Sequence, residues 1–182
     1  LSREVNKQLE MLGMNSARFT AQLSPIDAKH ISAQGLEEVE FLISTNSGQG
    51  AKPLGRIASG GELSRVSLAI QVVTAQVTET PTLIFDEVDV GIGGGIAEVV
   101  GRLLRQLGQR AQVLCVTHQP QVASQGNQHL FVSKSADGGN TETRIAQLTE
   151  NQRVNEVARM LGGIEITEKT LEHAQEMLTS AD

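Results

Sequence analysis

The chain has 182 residues, of which 39% are hydrophobic and 20% charged, so it has the composition of an ordinary folded domain rather than of a disordered segment. Its net charge of −6 and its aromatic content of 2%, with no Trp or Tyr, argue against a basic nucleic-acid surface on the whole chain and against single-strand binding by base stacking. The single cysteine, Cys115, excludes an internal disulfide and a cysteine-based zinc site, and no apolar run approaches the roughly 18 residues of a membrane span.

The first third of the chain predicts a helix followed by two strands. Apolar residues recur at helical spacing over residues 1–12, which predicts a helix. This helix is compatible with the end of a coiled-coil arm that enters the domain, but twelve residues are too few to establish a heptad repeat. Alternating apolar and polar residues predict strands over Arg18–Leu23 and Leu36–Ser44. The segment Thr45–Pro53 is rich in Gly, Ser, Asn and Pro, and we expect a loop there.

The middle of the chain alternates strands and helices. The apolar pattern predicts a largely buried helix over residues 62–77, a buried strand over Thr82–Phe85, a helix over Ile96–Leu107 and a buried strand over Gln112–Thr117. Together with the strand before them, these elements predict parallel βαβ units with right-handed crossovers. The predicted fold class is therefore α/β, with a mainly parallel central sheet flanked by helices.

The last third predicts a short helix, a hairpin and two closing helices. The short helix covers Gln119–Gln125, and the hairpin has strands at His129–Ser133 and Thr143–Leu148 around an Asp-Gly-Gly-Asn turn. The closing helices cover Asn151–Leu161 and Thr167–Leu178.

A Ser-Gly-Gly-Glu turn precedes the first central helix. Ser59 can cap this helix and Glu62 can be its reciprocal partner, while Gly60 and Gly61 allow a ligand to approach the backbone. The helix N-terminus then offers unpaired N–H groups to an anion such as phosphate. The pattern taken alone indicates a well-capped helix more often than a phosphate site.

Acidic residues follow the first buried strand of the middle segment. Of Asp86 and Glu87, one carboxylate can hold Mg²⁺ and the other can polarise a water for attack on a phosphate. A solvated acidic turn is an equally good interpretation of these two residues alone. Asp89 in the following turn is a third candidate.

His118 follows the next strand. A histidine at that point can hydrogen-bond a γ-phosphate oxygen, although an isolated histidine is more often structural. Ligands of parallel sheets lie at the carboxyl ends of the strands, and both Asp86-Glu87 and His118 occupy such ends.

The chain contains no Gly-x-x-x-x-Gly-Lys-Ser/Thr phosphate loop. The run Gly91–Gly95 is rich in glycine but lacks the lysine, so it indicates a flexible turn before a helix. We therefore expect the chain to contain at most half of a nucleotide-hydrolysing site.

The motifs resemble those of the ABC-type ATPases, and more closely those of their SMC-like bacterial DNA repair members. Residues 59–62 resemble the signature motif, residues 83–87 the Walker B strand, the turn through Asp89 the D-loop, and His118 the switch histidine. All four occur in the family's order, and the likeness covers nearly the whole chain. The run Gly93–Gly95 departs from the serine and proline usual after this D-loop, which puts its part in a dimer contact in doubt.

The resemblance implies the carboxy-terminal lobe (residues 13–182) of a P-loop NTPase head of the ABC type, whose amino-terminal Walker A lobe is absent here. Two such heads form a homodimer around two ATP molecules. The resemblance then implies Mg²⁺ binding by Asp86, water activation by Glu87 and γ-phosphate sensing by His118. It assigns contacts with the nucleotide to the following residues: Ser59, Gly60, Gly61, Glu62 and Asp89.

The implied role is ATP-controlled DNA engagement in recombinational repair of double-strand breaks, at the nucleoid in the cytoplasm and without a membrane. This chain by itself is expected to be inactive, because it lacks the phosphate loop. Two alternatives are the nucleotide-binding subunit of an ABC transporter and a non-catalytic interaction domain on the same fold. The early position of the Ser-Gly-Gly-Glu turn and the coiled-coil-like start weaken the first of these.

Overall fold

The computed structural model describes the chain apart from residues 28, 30–32, 34, 47, 49, 58, 76, 78, 79, 138, 139, 163–165, 181 and 182. Six α-helices, one short 3₁₀ helix (Leu54–Arg56) and seven strands follow one another along the described residues. The helices are α1 (Ser2–Met11), α2 (Gly60–Thr74), α3 (Gly94–Gly108), α4 (Pro120–Ala123), α5 (Glu150–Gly162) and α6 (Glu168–Thr179). The strands are β1 (Arg18–Pro25), β2 (Glu37–Ser44), β3 (Lys52–Pro53), β4 (Thr82–Phe85), β5 (Gln112–Cys115), β6 (Leu130–Asp137) and β7 (Asn140–Gln147).

The main core lies between α1, α2, α3 and the first two sheets. Helix α1 contributes Val5, Leu9 and Leu12, all with 0% exposure, so its apolar stripe is fully covered by the rest of the domain. The helix is followed by Gly13, whose φ of +75° is a left-handed conformation that favours glycine. A second, smaller core joins α5 to α6.

The described strands form three sheets. The first is antiparallel in the order β1-β2-β3, the second is the parallel pair β4-β5, and the third is the antiparallel hairpin β6-β7. The α/β class and its parallel sheet are confirmed. The expectation that the strand before α2 joins the parallel units is wrong, because β2 pairs with β1 over eight residues and leaves β4 and β5 as the only parallel pair among the described strands.

The parallel pair is covered on one face only. Phe85 is 5% exposed and Leu83, Val113 and Cys115 pack against the main core, whereas the alternate residues point away from it. Ile84 is 71% exposed, Leu114 43% and Val116 63%. The prediction that these strands are buried is thus correct for one face and wrong for the other, which we call the outer face of β4-β5.

Two boundaries also differ from the prediction. Helix α2 begins at Gly60 and ends at Thr74, and Val77, predicted to be helical, is 82% exposed. The β-branched run Val72-Val73-Thr74 weakens the helix at this end. The predicted loop 45–53 contains β3, a two-residue edge strand in which Pro53 pairs with Leu42.

The predicted hairpin is confirmed, although residues 138 and 139 of its turn lie outside the described residues. Within the described part of the chain, no helix is long and apolar enough to cross a membrane.

Candidate functional site

The N-terminus of α2 has the predicted N-cap, but the described residues show no reciprocal hydrogen bond from the Glu62 side chain. Ser59 is the N-cap, in extended conformation with φ −100° and ψ 121°, and its hydroxyl oxygen accepts a hydrogen bond from the amide of Glu62 at 3.4 Å. Ser59 and Gly60 are exposed, whereas Gly61 is buried. Helix α2 therefore begins at the surface, with Ser59 and Gly60 accessible.

The two carboxylates after β4 lie beside that turn. Glu87 has a φ of +58°, the only positive φ of a non-glycine residue in the described part of the chain. Its amide donates to Asp86 Oδ1 at 2.9 Å, and a Cβ built on Gly60 would collide with Glu87 Oε2. A side chain at position 60 would therefore require the Glu87 carboxylate to move away from the start of α2.

Two side chains of α2 attach the helix to the turn after β4. Ser64 Oγ donates to the backbone oxygen of Asp86 at 2.7 Å, and Arg65 Nη1 donates to the backbone oxygen of Val90 at 2.8 Å. Arg65 is 9% exposed, and burial lowers the pKa of its guanidinium. The sequence analysis did not single out Ser64 or Arg65, which occur within the same helical pattern as the core residues.

Asp89 connects this turn to the end of β5. It is 1% exposed, and its Oδ2 accepts hydrogen bonds from the Thr117 hydroxyl and, at 3.2 Å, from the His118 amide. An ionised carboxylate is costly to bury unless it is hydrogen-bonded, and here the donors come from the second strand end. A solvated loop acid, which is the ordinary expectation for such a position, is not what the structure shows.

His118 itself is exposed, with 65% of its side chain accessible. Its Nδ1 lies 3.6 Å from Asp89 Oδ2, and its Nε2 lies 3.1 Å from Nε2 of Gln119. The same Gln119 nitrogen donates to the backbone oxygen of Ile92 at 3.0 Å. Sequence reasoning also missed Thr117 and Gln119, although both flank the histidine in the chain.

The predicted site residues thus come together at one edge of the molecule. Strands β4 and β5 are parallel neighbours with Phe85 opposite Cys115, so the residues that follow them leave the sheet side by side. Glu87 reaches the α2 turn, and Asp89 reaches His118. The arrangement combines a helix N-terminus, two exposed carboxylates and an imidazole, which are among the groups that phosphoryl transfer to water uses.

The donor set of this chain suits Mg²⁺ only in part. Asp86 is exposed at the strand end and one of its oxygens accepts the Glu87 amide. Among the described residues no group of three His, Cys, Asp or Glu side chains could hold a metal ion. Mg²⁺ commonly binds one or two carboxylates and completes its octahedron with water and substrate phosphates, so a single carboxylate fits that ion when a nucleotide supplies the rest.

Curated relatives match the whole length of this chain. No family model matches the sequence. The DNA repair protein RecN of Vibrio cholerae is 52% identical over 181 residues, covering 100% of this chain and 32% of the relative. RecN of Haemophilus influenzae is 52% identical over 178 residues (98% and 32%), and RecN of Bacillus subtilis is 37% identical over 195 residues (100% and 34%). The chain spans about a third of the length of these relatives.

Solved structures share the fold at low sequence identity. The Smc head domain of Pyrococcus yayanosii, with a coiled coil and joint, superposes with a TM-score of 0.55 at 17% identity and covers 96% of this chain and 29% of that one. The Smc head domain of Pyrococcus furiosus, bound to the C-terminal domain of ScpA, gives 0.53 at 18% identity (87% and 37%). The chain has the fold of an SMC head, and its sequence corresponds to the carboxy-terminal region of the RecN family of DNA repair proteins.

Proposed function

We propose that this chain is the carboxy-terminal half of an ATP-hydrolysing, SMC-like head that acts in the repair of DNA double-strand breaks. The observation that carries the proposal is the convergence of three elements: the α2 turn, the carboxylates after β4 and the imidazole after β5. Similarity over the whole chain to RecN proteins supports a repair ATPase over a transporter subunit.

Each predicted residue has a role that its position supports. Asp86 would hold Mg²⁺, which when bound neutralises charge on the phosphates of ATP. Glu87 orients and polarises the attacking water, and its carboxylate lies beside Gly60 at the start of α2. His118 hydrogen-bonds the γ-phosphate, because its imidazole is exposed beside the same strand ends.

The turn at residues 59–62 serves the nucleotide of a second head in a homodimer. Ser59 and Gly60 are exposed, and the carboxylate already placed against Gly60 supports the capacity of this helix end to receive an anion. In this arrangement each ATP contacts two heads, so hydrolysis depends on dimerisation. A related structure comes from work on the ATP-driven dimerization and DNA-stimulated activation of SMC ATPases (TM-score 0.50, 14% identity).

A further segment of the same protein would complete each head. The outer face of β4-β5 exposes Ile84, Leu114 and Val116, and an apolar face of this kind on a central sheet calls for a covering layer. The matched relatives are about three times as long as this chain. We assign the cover to an amino-terminal lobe that carries the Walker A loop, and we assign α1 to the end of the coiled-coil arm that separates the two lobes.

The test is the substitution Glu87→Gln in the full-length protein. We expect ATP turnover to fall by at least about a hundredfold, because general base assistance contributes on the order of 10²–10⁴. ATP-bound dimeric heads should accumulate, as measured by light scattering with and without ATP. The matched control is Glu98→Gln, an exposed α3 residue paired only with Arg102 at 2.8 Å, which should hydrolyse ATP at the wild-type rate.

Unchanged turnover in the Glu87→Gln variant would remove Glu87 from the mechanism. The isolated 182-residue chain is a second control, and we expect neither hydrolysis nor tight ATP binding by it in calorimetry. DNA engagement and a nucleoid location follow from the same proposal. The absence of any hydrolysis by the wild-type full-length protein would instead favour a non-catalytic interaction domain.

A further inference from the structure

The turn after β4 contacts one ring nitrogen of His118 directly and the other through Gln119. Nδ1 lies 3.6 Å from Asp89 Oδ2. Nε2 lies 3.1 Å from the side-chain amide nitrogen of Gln119, and the same nitrogen donates to the backbone oxygen of Ile92 at 3.0 Å. Asp89 and Ile92 belong to one turn, whereas His118 and Gln119 follow β5. The orientation of the imidazole is therefore determined by a segment about thirty residues earlier in the chain.

Asp89 is built for this connection rather than for contact with a ligand. Its side chain is 2% exposed, and its Oδ2 accepts from the Thr117 hydroxyl and from the His118 amide. The Thr117 hydroxyl oxygen also accepts a hydrogen bond from the backbone amide of Gln119 at 3.0 Å. Asp89 and Thr117 thus fix the backbone on both sides of the histidine as well as the ring.

We propose that Asp89, together with Thr117, is the positioning residue for His118, and that it acts on ATP only through the imidazole. The inference rests on the proposed function and changes the role of Asp89 from nucleotide contact to support of the γ-phosphate sensor. Without it, a histidine with an exposed side chain would lose its orientation.

A double-mutant cycle in the full-length protein tests the proposal. Asp89→Asn should lower kcat by roughly 10- to 100-fold with little change in KM, as loss of an outer partner does for histidines that act as ligands. His118→Ala should lower kcat at least as much. The variant with both changes should be no slower than His118→Ala within about twofold, because a residue that acts through another adds nothing once that one is gone.

Multiplied losses in the double variant would overturn the proposal, because they would mean that Asp89 acts without His118. If Asp89→Asn fails to fold, Thr117→Val takes its place in the cycle with the same pattern expected and a smaller loss.

A second measurement does not depend on ATP. Carbethoxylation of the full-length protein at pH 8, followed by peptide mass spectrometry, gives the reaction rate of each histidine. In the Asp89→Asn variant the rate at His118 should fall several-fold, because Nε2 becomes less nucleophilic when Nδ1 loses its anionic partner. His173, whose side chain is 60% exposed beside Glu176, is the internal reference.

Equal His118-to-His173 ratios in the wild type and the variant would contradict the proposal. This arm remains decisive when the wild-type protein does not hydrolyse ATP, so failure of the positioning role and failure of the proposed function are distinguishable.

Discussion

Helix α1 and the outer face of β4-β5 differ in the burial of their aliphatic side chains, and the sequence does not predict this difference. Both present aliphatic residues in regular spacing. The stripe of α1 (Val5, Leu9) has 0% exposure, whereas Ile84 and Val116 on the strands are 71% and 63% exposed. Helix α1, whose sequence resembles the end of a coiled-coil arm, is part of the core. Strands β4 and β5, whose sequences resemble fully buried strands, are exposed on one face.

The contrast shows that the apolar residues of α1 are covered within this chain, whereas the described residues cover the parallel sheet on one face only. Helix α1 finds its partners in α2 and β1, where Asn6 additionally exchanges hydrogen bonds with the backbone of Phe19 at 2.7 and 3.0 Å. Strands β4 and β5 pack against other described residues on one face only. Three measurements test this difference in burial between α1 and the β4-β5 pair.

The largest expected effect concerns Cys115, which lies on the covered face between exposed neighbours. Burial, reinforced by the carboxylates of Asp89 and Asp86, raises the pKa of its thiol to about 12. Alkylation by iodoacetamide at pH 8 should be roughly a thousandfold slower in the folded chain than in the chain unfolded by guanidinium, because the thiolate is the reacting species. Mass spectrometry over time gives both rates.

The raised pKa also has a consequence for stability. The folded thiol keeps its proton in a range where the unfolded thiol loses it, so this contribution to stability is complete below pH 9 and is lost as the pH rises toward 12. Rapid alkylation of Cys115 in the folded chain at pH 8 would show that the inner face of β4-β5 is exposed as well. That result would contradict the assignment of one covered and one uncovered face to this strand pair.

The next effect is on the core of α1. Leu9→Ala should reduce the free energy of unfolding by about 2–5 kcal/mol, since it removes a fully buried side chain and leaves a cavity. Urea denaturation measures the loss. Lys7→Ala on the exposed side of the same helix is the control and should change stability by less than about 0.5 kcal/mol. Equal effects of the two substitutions would mean that α1 is a detached arm.

The smallest effect in this chain, and the most informative, is that of Ile84→Ser. We expect a change within about 0.5 kcal/mol in the 182-residue chain, because the side chain is already exposed. In the full-length protein we expect a loss of about 1.5–3 kcal/mol, the cost of uncovering an isoleucine. Leu83→Ser on the inner face should destabilise both proteins. The same small effect of Ile84→Ser in both would show that no further lobe covers the outer face.

Elements whose patterns are local were predictable, and pairings between distant segments were not. The periods of α1, α3, β1 and the hairpin are visible in the sequence because each element is half buried. The assignment of β2 to the first sheet depends on a register from Arg18↔Ser44 to Pro25↔Glu37, which no short window contains. Likewise, the burial of β4 and β5 depends on what covers them and not on their own residues.

The site shows the same division. Ser59 as N-cap follows from a four-residue pattern, and the strand-end positions of Asp86 and His118 follow from the order of elements. The burial of Asp89 could not be predicted, because its partner Thr117 lies 28 residues further along the chain. The burial of Arg65 could not be predicted for the same reason, because its hydrogen-bond acceptor, the backbone oxygen of Val90, lies 25 residues further along the chain.

The backbone of Glu87 has a consequence for protein engineering. A side chain at φ +58° costs about 1–2 kcal/mol that glycine would not, so thermal stability taken alone favours glycine at this position. A library screened only for heat resistance would therefore tend to lose this carboxylate, and with it the group that we expect to polarise water. Screens for hardier versions of this domain need a turnover assay at every round.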